Sequence, residues 1–339
     1  MKRIVYLFVA LLIMATADAQ TLTERQKGLA ACACLMAQGD LERLEPTMRM
    51  ALDNGVTINE LKEAFSQLYA YTGFPRSLNA LGVLNKVLEA APRGGLKGVW
   101  QEGKPWKRPA EWDDAKKAYE LGTKNQTQLS GKPFNYTFCP QDDYYLKSHL
   151  FGDIFAGDQF SAADREIVTV AALSGLEGVA PQLAAHKKGA VNMGNSQQAV
   201  DELCRWLCEE GYTLSTKWPK GEPNPYGTYF IGQSYLADVG GGVMNVTFEP
   251  RCRNNWHIHH KQVQVLICVA GRGWYQEWGK EPQEMTPGTI IAIPAEVKHW
   301  HGAAKDSWFQ HLTYHKDVQD GASNEWCEPV TDELYSQLP

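Results

Sequence analysis

The 339-residue chain has no run of lysine or arginine, and its balance is mildly acidic, −6 with histidine counted neutral. Phosphate backbones are held by clustered positive charge, so nucleic acid is excluded as a partner and a small molecule is expected instead. Cysteine is scarce: eight in 339 residues are too few for a disulfide framework. No two of them form a CxxC pair, since Cys32-Ala33-Cys34 has the wrong spacing and Cys204 and Cys208 lie one helical turn apart. They read as small buried hydrophobes, with no pairing assigned. Beyond the N-terminus no apolar run approaches the ~20 residues that cross a bilayer, so no membrane span is expected in the mature chain.

What stands at the N-terminus is short. Lys2 and Arg3 precede an apolar run over residues 4–14, and Ala17-Asp18-Ala19 offers small residues at signal-peptidase spacing. Residues 1–19 are expected to be a cleaved signal peptide and the mature protein to be periplasmic or secreted. A transmembrane anchor is the alternative, and the run is too short for it.

From residue 22 to about 91 the apolar period is helical. Thr57-Ile58-Asn59-Glu60 reads as a capping box ahead of Leu61, Ala64, Phe65, Leu68 and Thr72, and Gly73 closes the helix. The design returns 139 positions later, with Ser196 as cap, the stripe Val200, Leu203, Cys204, Leu207 and Cys208, and then Gly211; upstream, Ala51 and Gly55 match Ala190 and Gly194. This is an internal duplication whose copies bury their faces on each other. The expected divisions are copy 1 over residues 20–92, a surface connector with one helix near 109–121 over 93–135, and copy 2 over 136–216. Pro219, Gly221, Pro223, Pro225 and Gly227 then end the helical region. Beyond them the period becomes two, which predicts an antiparallel β-barrel over 225–320 and a tail over 321–339.

In the β region, His257 and His259 alternate on a predicted strand and so share one face; His299 and His301 repeat that geometry on another. One His-x-His is weak evidence for a metal, but two that converge are stronger. His311 falls on the following run, 307–314, where its orientation stays open. Trp274, Trp300, Val265 and Ile293 would make an apolar pocket wall if they point inward.

His257-Ile258-His259, Gln264-Val265-Leu266 to Gly271-Arg272-Gly273-Trp274, Pro287-Gly288 to Pro294, and Lys298-His299-Trp300-His301-Gly302-Ala303 together resemble the two cupin motifs. More narrowly they are similar to the single-domain cupins that include manganese-dependent hydroxynitrile lyases. The resemblance covers about residues 229–314. It implies His257, His259, Gln264 and His299 as ligands of one divalent ion (Mn, Fe, Ni or Zn), with His301 and His311 lining the pocket as candidate proton carriers. Gln264 replaces the Glu of many cupins, and Gln262 competes with it because the spacer 260–263 departs from the usual length. Arg165-Glu166-Ile167-Val168-Thr169-Val170-Ala171-Ala172-Leu173 with Gln182-Leu183-Ala184-Ala185-His186 resembles the carboxymuconolactone decarboxylase family. Relatives there run a thiol relay through CxxC, but Val179 and Gln182 hold those places here, which leaves Glu166 and His186 as a possible second, acid/base site. Copy 1 has Gln26 and Thr47 at the corresponding positions and is expected to be inert.

The fold expected is therefore an all-α tandem repeat followed by a small cupin barrel. The leading functional expectation is an exported, metal-dependent lyase or decarboxylase acting on a small carbonyl or hydroxy-acid substrate, with homo-oligomerisation through the helical half. The alternatives are a small-molecule or metal-binding protein, an Fe(II) oxygenase and, with least support, a peroxiredoxin-type activity of the helical domain.

Overall fold

The computed structural model describes residues 21–90, 100–215 and 217–338. The expected signal peptide lies outside them. The helical half contains α1 (Glu24–Gln38), α2 (Leu41–Asp53), α3 (Ile58–Thr72), α4 (Phe74–Ala90), α5 (Ala115–Ser130), α6 (Pro140–Tyr145), a π-helix at Leu146–Ile154, α7 (Ala162–Ser174), α8 (Ala180–Asn192) and α9 (Gln197–Glu209). The start of α3 is a capping box in which Thr57 and Glu60 satisfy each other's backbone donors, and Ser196 caps α9 at the matching place. Helices α1 and α3 of copy 1 and α7 and α9 of copy 2 share one apolar core that includes Leu35, Phe65, Val168 and Leu203.

The caps also correct the pairing of the two copies. Helix α1 is capped at Thr23 and α7 at Ser161, so Gln26 corresponds to Asp164, the third residue of its helix, and Gly28 is the counterpart of Glu166. Gln26 serves the cap of α1, and its amide reaches Asp164 at 3.0 Å.

The stretch 93–135 is more than a surface connector. A 3₁₀ turn at Ala110–Asp113 leads into α5, which runs past the expected end of the helix at 121 and packs on the π-helix and α8. Gly122 makes this approach possible, since a Cβ there would lie 1.6 Å from the Lys147 carbonyl oxygen.

The C-terminal half folds as two facing antiparallel sheets. Its strands are β1 (Glu222–Pro223), β2 (Phe230–Ile231), β3 (Ser234–Gly240), β4 (Val243–Phe248), β5 (Arg253–Asn254), β6 (His257–His260), β7 (Val263–Gly271), β8 (Gly273–Glu277), β9 (Gln283–Met285), β10 (Ile290–Ile293), β11 (His299–Ala303), β12 (Phe309–Lys316) and β13 (Ser323–Trp326). One sheet has the order β1-β3-β4-β12-β7-β10; the other runs β13-β6-β11-β5-β2, with β8 and β9 attached through β11. The residues placed in a tail over 321–339 belong to this structure. Strand β13 pairs with β6, opposing Asn324 to His259, and α10 (Asp332–Ser336) with Val330 and Leu338 covers Trp256, Trp274 and Trp300. The helical half meets the barrel where the Trp308 indole donates to the Cys208 carbonyl at 2.7 Å.

Candidate metal centre and its proton-carrying pair

Alternation along β6 turns His257 and His259 into the space between the sheets while Ile258 and His260 stay partly exposed. Strand β11 sets His299 directly opposite His257. One ring nitrogen from each of His257, His259 and His299 falls within a common 4.8 Å, and all three residues are buried. The facing sheet supplies Gln264 from β7, whose Oε1 lies 3.0 Å from His299 Nε2. Gln262, one pleat earlier on that side, turns away and donates to Asn324 Oδ1 at 2.8 Å.

The backbone decides which nitrogen each imidazole offers. His257 Nδ1 is 3.0 Å from the carbonyl of Asn255 and His299 Nδ1 is 2.9 Å from that of Val297, each two residues back on its own strand; His259 Nδ1 is 2.6 Å from Asn324 Oδ1. A carbonyl oxygen only accepts, so the proton sits on Nδ1 and the Nε2 lone pair of each ring faces the centre. There His259 Nε2 is buried with no hydrogen-bond partner, and the lone pairs of His299 Nε2 and Gln264 Oε1 face each other. Burial pushes all three rings toward the neutral form: His299 falls to about 3, His259 to about 4, and His257 well below the usual range. A cation satisfies every one of these donors at once, so the residues present fit a divalent ion.

His301 and His311 are also brought together. His311 is fully buried, and its Nε2 lies 3.2 Å from His301 Nδ1, with the Phe248 and Phe309 rings beside it. Asn254 from β5 orients His301, its amide nitrogen 3.0 Å from Nε2 and its Oδ1 accepting from the His301 backbone N–H. The ring of His301 stands 5.5 Å from that of His257 and 4.7 Å from that of His311, so it lies between the ligand set and His311. Burial holds His311 at about 4 and His301 well below the usual range, and both are neutral at pH 7.

Three of the four expected wall residues do not face this space. Trp300, between His299 and His301 on β11, has the opposite parity and packs with Trp274 against Val330 and Tyr335; Val265 alternates away from Gln264. The interior wall is Val246, Phe248, Leu266, Tyr275, Ile293 and Phe309.

Residues 6–86 match the model of the carboxymuconolactone decarboxylase family and residues 244–310 match that of the cupin domain. A curated relative, (R)-mandelonitrile lyase of Granulicella tundricola, is 43% identical over 91 residues, which are 27% of this chain and 68% of the relative. The chain belongs to the cupins, with a carboxymuconolactone decarboxylase domain at its N-terminus. Among solved structures, a cupin-like protein from Thermotoga maritima is 32% identical, covering 36% of this chain and 96% of its own, with a TM-score of 0.34. A predicted oxalate decarboxylase from the same organism is 13% identical over 28% of this chain and 89% of its own, with a TM-score of 0.26.

In this cupin, several site residues escaped the sequence reading. Asn324 fixes the tautomer of His259, Asn254 holds His301, and Thr313 accepts from the Gln264 amide at 3.3 Å. His315, two pleats beyond His311 on the same face, brings Nε2 to 3.3 Å from His259 Nδ1. The parity of β12 could have flagged Thr313 and His315 once His311 was known to face inward. Replacing Asn324 with Ala is expected to weaken metal affinity by ~10–100-fold, because the outer partner that orients a ligating imidazole is lost. A chelator competition titration measures it, and unchanged affinity would remove Asn324 from the centre.

The second candidate pair is also assembled in the helical domain. His186 Nδ1 lies 2.8 Å from Glu166 Oε2, with Glu166 fully buried and His186 8% exposed. All eight cysteines are free, and the relay positions ahead of His186 are held by Val179 and Gln182.

Proposed function

We propose that the barrel is a metal-dependent lyase that cleaves a bond next to the hydroxyl-bearing carbon of a small cyanohydrin or hydroxy acid, or runs the reverse addition to an aldehyde. The observation that supports it most is the pairing of three converging imidazoles, among which His259 Nε2 is buried and unpartnered, with a neutral His301–His311 couple beside them. His257, His259, His299 and Gln264 would hold the ion. A bound divalent ion supplies Lewis-acid charge that polarises a substrate oxygen, undiminished here because the donors are neutral imidazoles and an amide.

The remaining work falls to the chain. Since Leu312 O lies 3.3 Å from His311 Nδ1, that ring keeps its proton on Nδ1, and its Nε2 accepts from His301 Nδ1. The exchangeable face of the couple is therefore His301 Nε2, where the Asn254 amide now rests. A proton leaving the substrate hydroxyl takes that position, and His301 passes its Nδ1 proton to His311 Nε2. The charge then resides farther from the ligand set, between Phe248 and Phe309. The hydroxyl-bearing carbon becomes a carbonyl as its C–C bond breaks, and the bond's electron pair leaves with the cyanide or carbanion. The proton returned through His301 neutralises that leaving group. The aromatic and aliphatic wall excludes water and suits a substrate with an apolar or aryl substituent.

The test is turnover of a panel of small cyanohydrins, aldehydes and hydroxy acids by protein of measured metal content. Release of aldehyde, abolished by chelation and restored by adding back metal, is the expected result. A fully loaded protein that turns over nothing in the panel would sink the lyase reading; ligand binding without turnover, or oxygen uptake, would then favour a binding protein or an oxygenase. We also infer export, from the short apolar segment and Ala17-Asp18-Ala19. N-terminal sequencing of native material should begin near Gln20, and an uncleaved chain in the cytoplasm would refute it.

A further inference from the structure

Among the described residues, five buried side-chain polar atoms have no hydrogen-bond partner, and two of them, Tyr71 OH and Glu166 Oε1, flank the same histidine. Tyr71 comes from α3 of copy 1, Glu166 from α7 and His186 from α8 of copy 2. The Tyr71 ring meets the His186 ring edge-on, centroids 5.4 Å apart at 82°. Thr169, the hydroxyl beside Tyr71, commits its one donor to the Arg165 carbonyl at 2.9 Å and accepts from Gln67 at 2.8 Å, so it donates to neither orphan oxygen. The Arg165 guanidinium turns away to Glu63, Gln67 and the Gly157 carbonyl.

An unmatched buried oxygen is destabilising, and the duplicated copy shows that the fold does not require Glu166 or His186. Gly28 and Thr47 occupy the equivalent places in copy 1, with Gly28 against Ala51 and the Thr47 hydroxyl on the Arg43 carbonyl at 2.8 Å. We propose that Tyr71, Glu166 and His186 form a second, thiol-free proton-transfer site, which takes a small uncharged carbonyl compound with an enolisable C–H bond.

The chemistry of the groups sets the ligand class. Tyr71 OH is a donor without an acceptor, which a carbonyl oxygen supplies; Glu166 Oε1 is an acceptor without a donor, which an acidic C–H meets. Burial and the Glu166 charge push the phenol up from its usual range, so it stays a donor at neutral pH. Glu166 Oε1 takes the proton, the C–H electron pair becomes the C=C bond, and the carbonyl π pair moves onto oxygen, which Tyr71 holds by its hydrogen bond. Returning a proton to carbon restores the ketone. His186 keeps about 10% of its side chain exposed, and through its bond to Glu166 Oε2 it links the carboxyl to solvent protons. A carboxylate ligand is disfavoured, because Glu166 already supplies negative charge and the guanidinium of Arg165 is committed elsewhere.

The experiment is deuterium incorporation at the α-carbon of cyclohexanone in D2O, with pyruvate as the charged comparison, using full-length protein carrying His311→Ala so that the proton path of the barrel is broken. Exchange into cyclohexanone above the buffer rate and none above it into pyruvate is expected. Glu166→Gln should lower the exchange by ~10²-fold or more. Tyr71→Phe should lower it by ~10²-fold while leaving the melting temperature unchanged or higher, because an unmatched hydroxyl is removed. Buffer-rate exchange with the parent, or parental exchange in both variants, would overturn the proposal. If the variants alter only thermal stability, the three residues are buried polar packing and nothing more.

Discussion

Replacement of His257, His259 or His299 with Ala is expected to reduce bound metal from about one ion per chain to almost none. Each of these rings is held by an oxygen on Nδ1 and aimed inward by strand parity, and no other His, Cys, Asp or Glu among the described residues joins them within the common 4.8 Å. The loss of one neutral ligand therefore has no local substitute. Gln264→Ala should weaken binding without removing it, since an amide oxygen is a poorer donor than an imidazole and three rings remain. Replacing Cys252 or Cys268 should leave metal content at the parental level, although both lie within the barrel core. Burial pushes their thiols up to about 12, so they are not thiolates at pH 7. Elemental analysis of folded, purified variants decides the matter. A cysteine variant that loses its metal while it stays folded, or a His299→Ala protein that retains it, would overturn the ligand assignment.

The strand periods made the two histidine pairs legible, while the choice of ligands among them, and Gln264, came from the resemblance to cupins. A period of two puts His257 with His259 and His299 with His301, and the same rule places Trp300 on the far side of β11, where the structure finds it under Val330 and Tyr335. A place in the pocket wall requires Trp300 to point inward, which its parity with His299 forbids. Asn324 was not legible. It reaches His259 only because β13 pairs with β6 across some sixty intervening positions, and nothing local in Ser323–Trp326 marks that pairing. In the helical half the duplication could be read from caps and apolar stripes, but setting Gln26 against Glu166 misses its counterpart Asp164 by two positions. Tyr71 carries no signal in its own helix. Its place beside Glu166 and His186 follows from how α3 packs on α7, which is a property of the tertiary fold.

The last expectation concerns the proton. His301→Ala and His311→Ala should each retain metal and each lower turnover by ~10²–10⁴-fold, the usual effect of removing a positioned acid/base group. The double variant should be no slower than the slower single variant. The reason lies in the chain of contacts: Asn254 to His301 Nε2 at 3.0 Å, then His301 Nδ1 to His311 Nε2 at 3.2 Å, so the two rings act in series and the loss of either breaks the same path. Additive losses would mean that the rings serve separate steps. The pH profile gives a second reading. Burial lowers His311 to about 4, so the neutral, proton-accepting form persists as pH falls from 7 and is lost through about 4. Since His259 also titrates near 4 and His299 near 3, metal content must be followed in parallel at each pH. A rate that falls near pH 6.5 with the metal still in place would assign the proton to an exposed histidine of ordinary basicity. Single variants of His301 and His311 that both work at the parental rate would remove the couple from the mechanism.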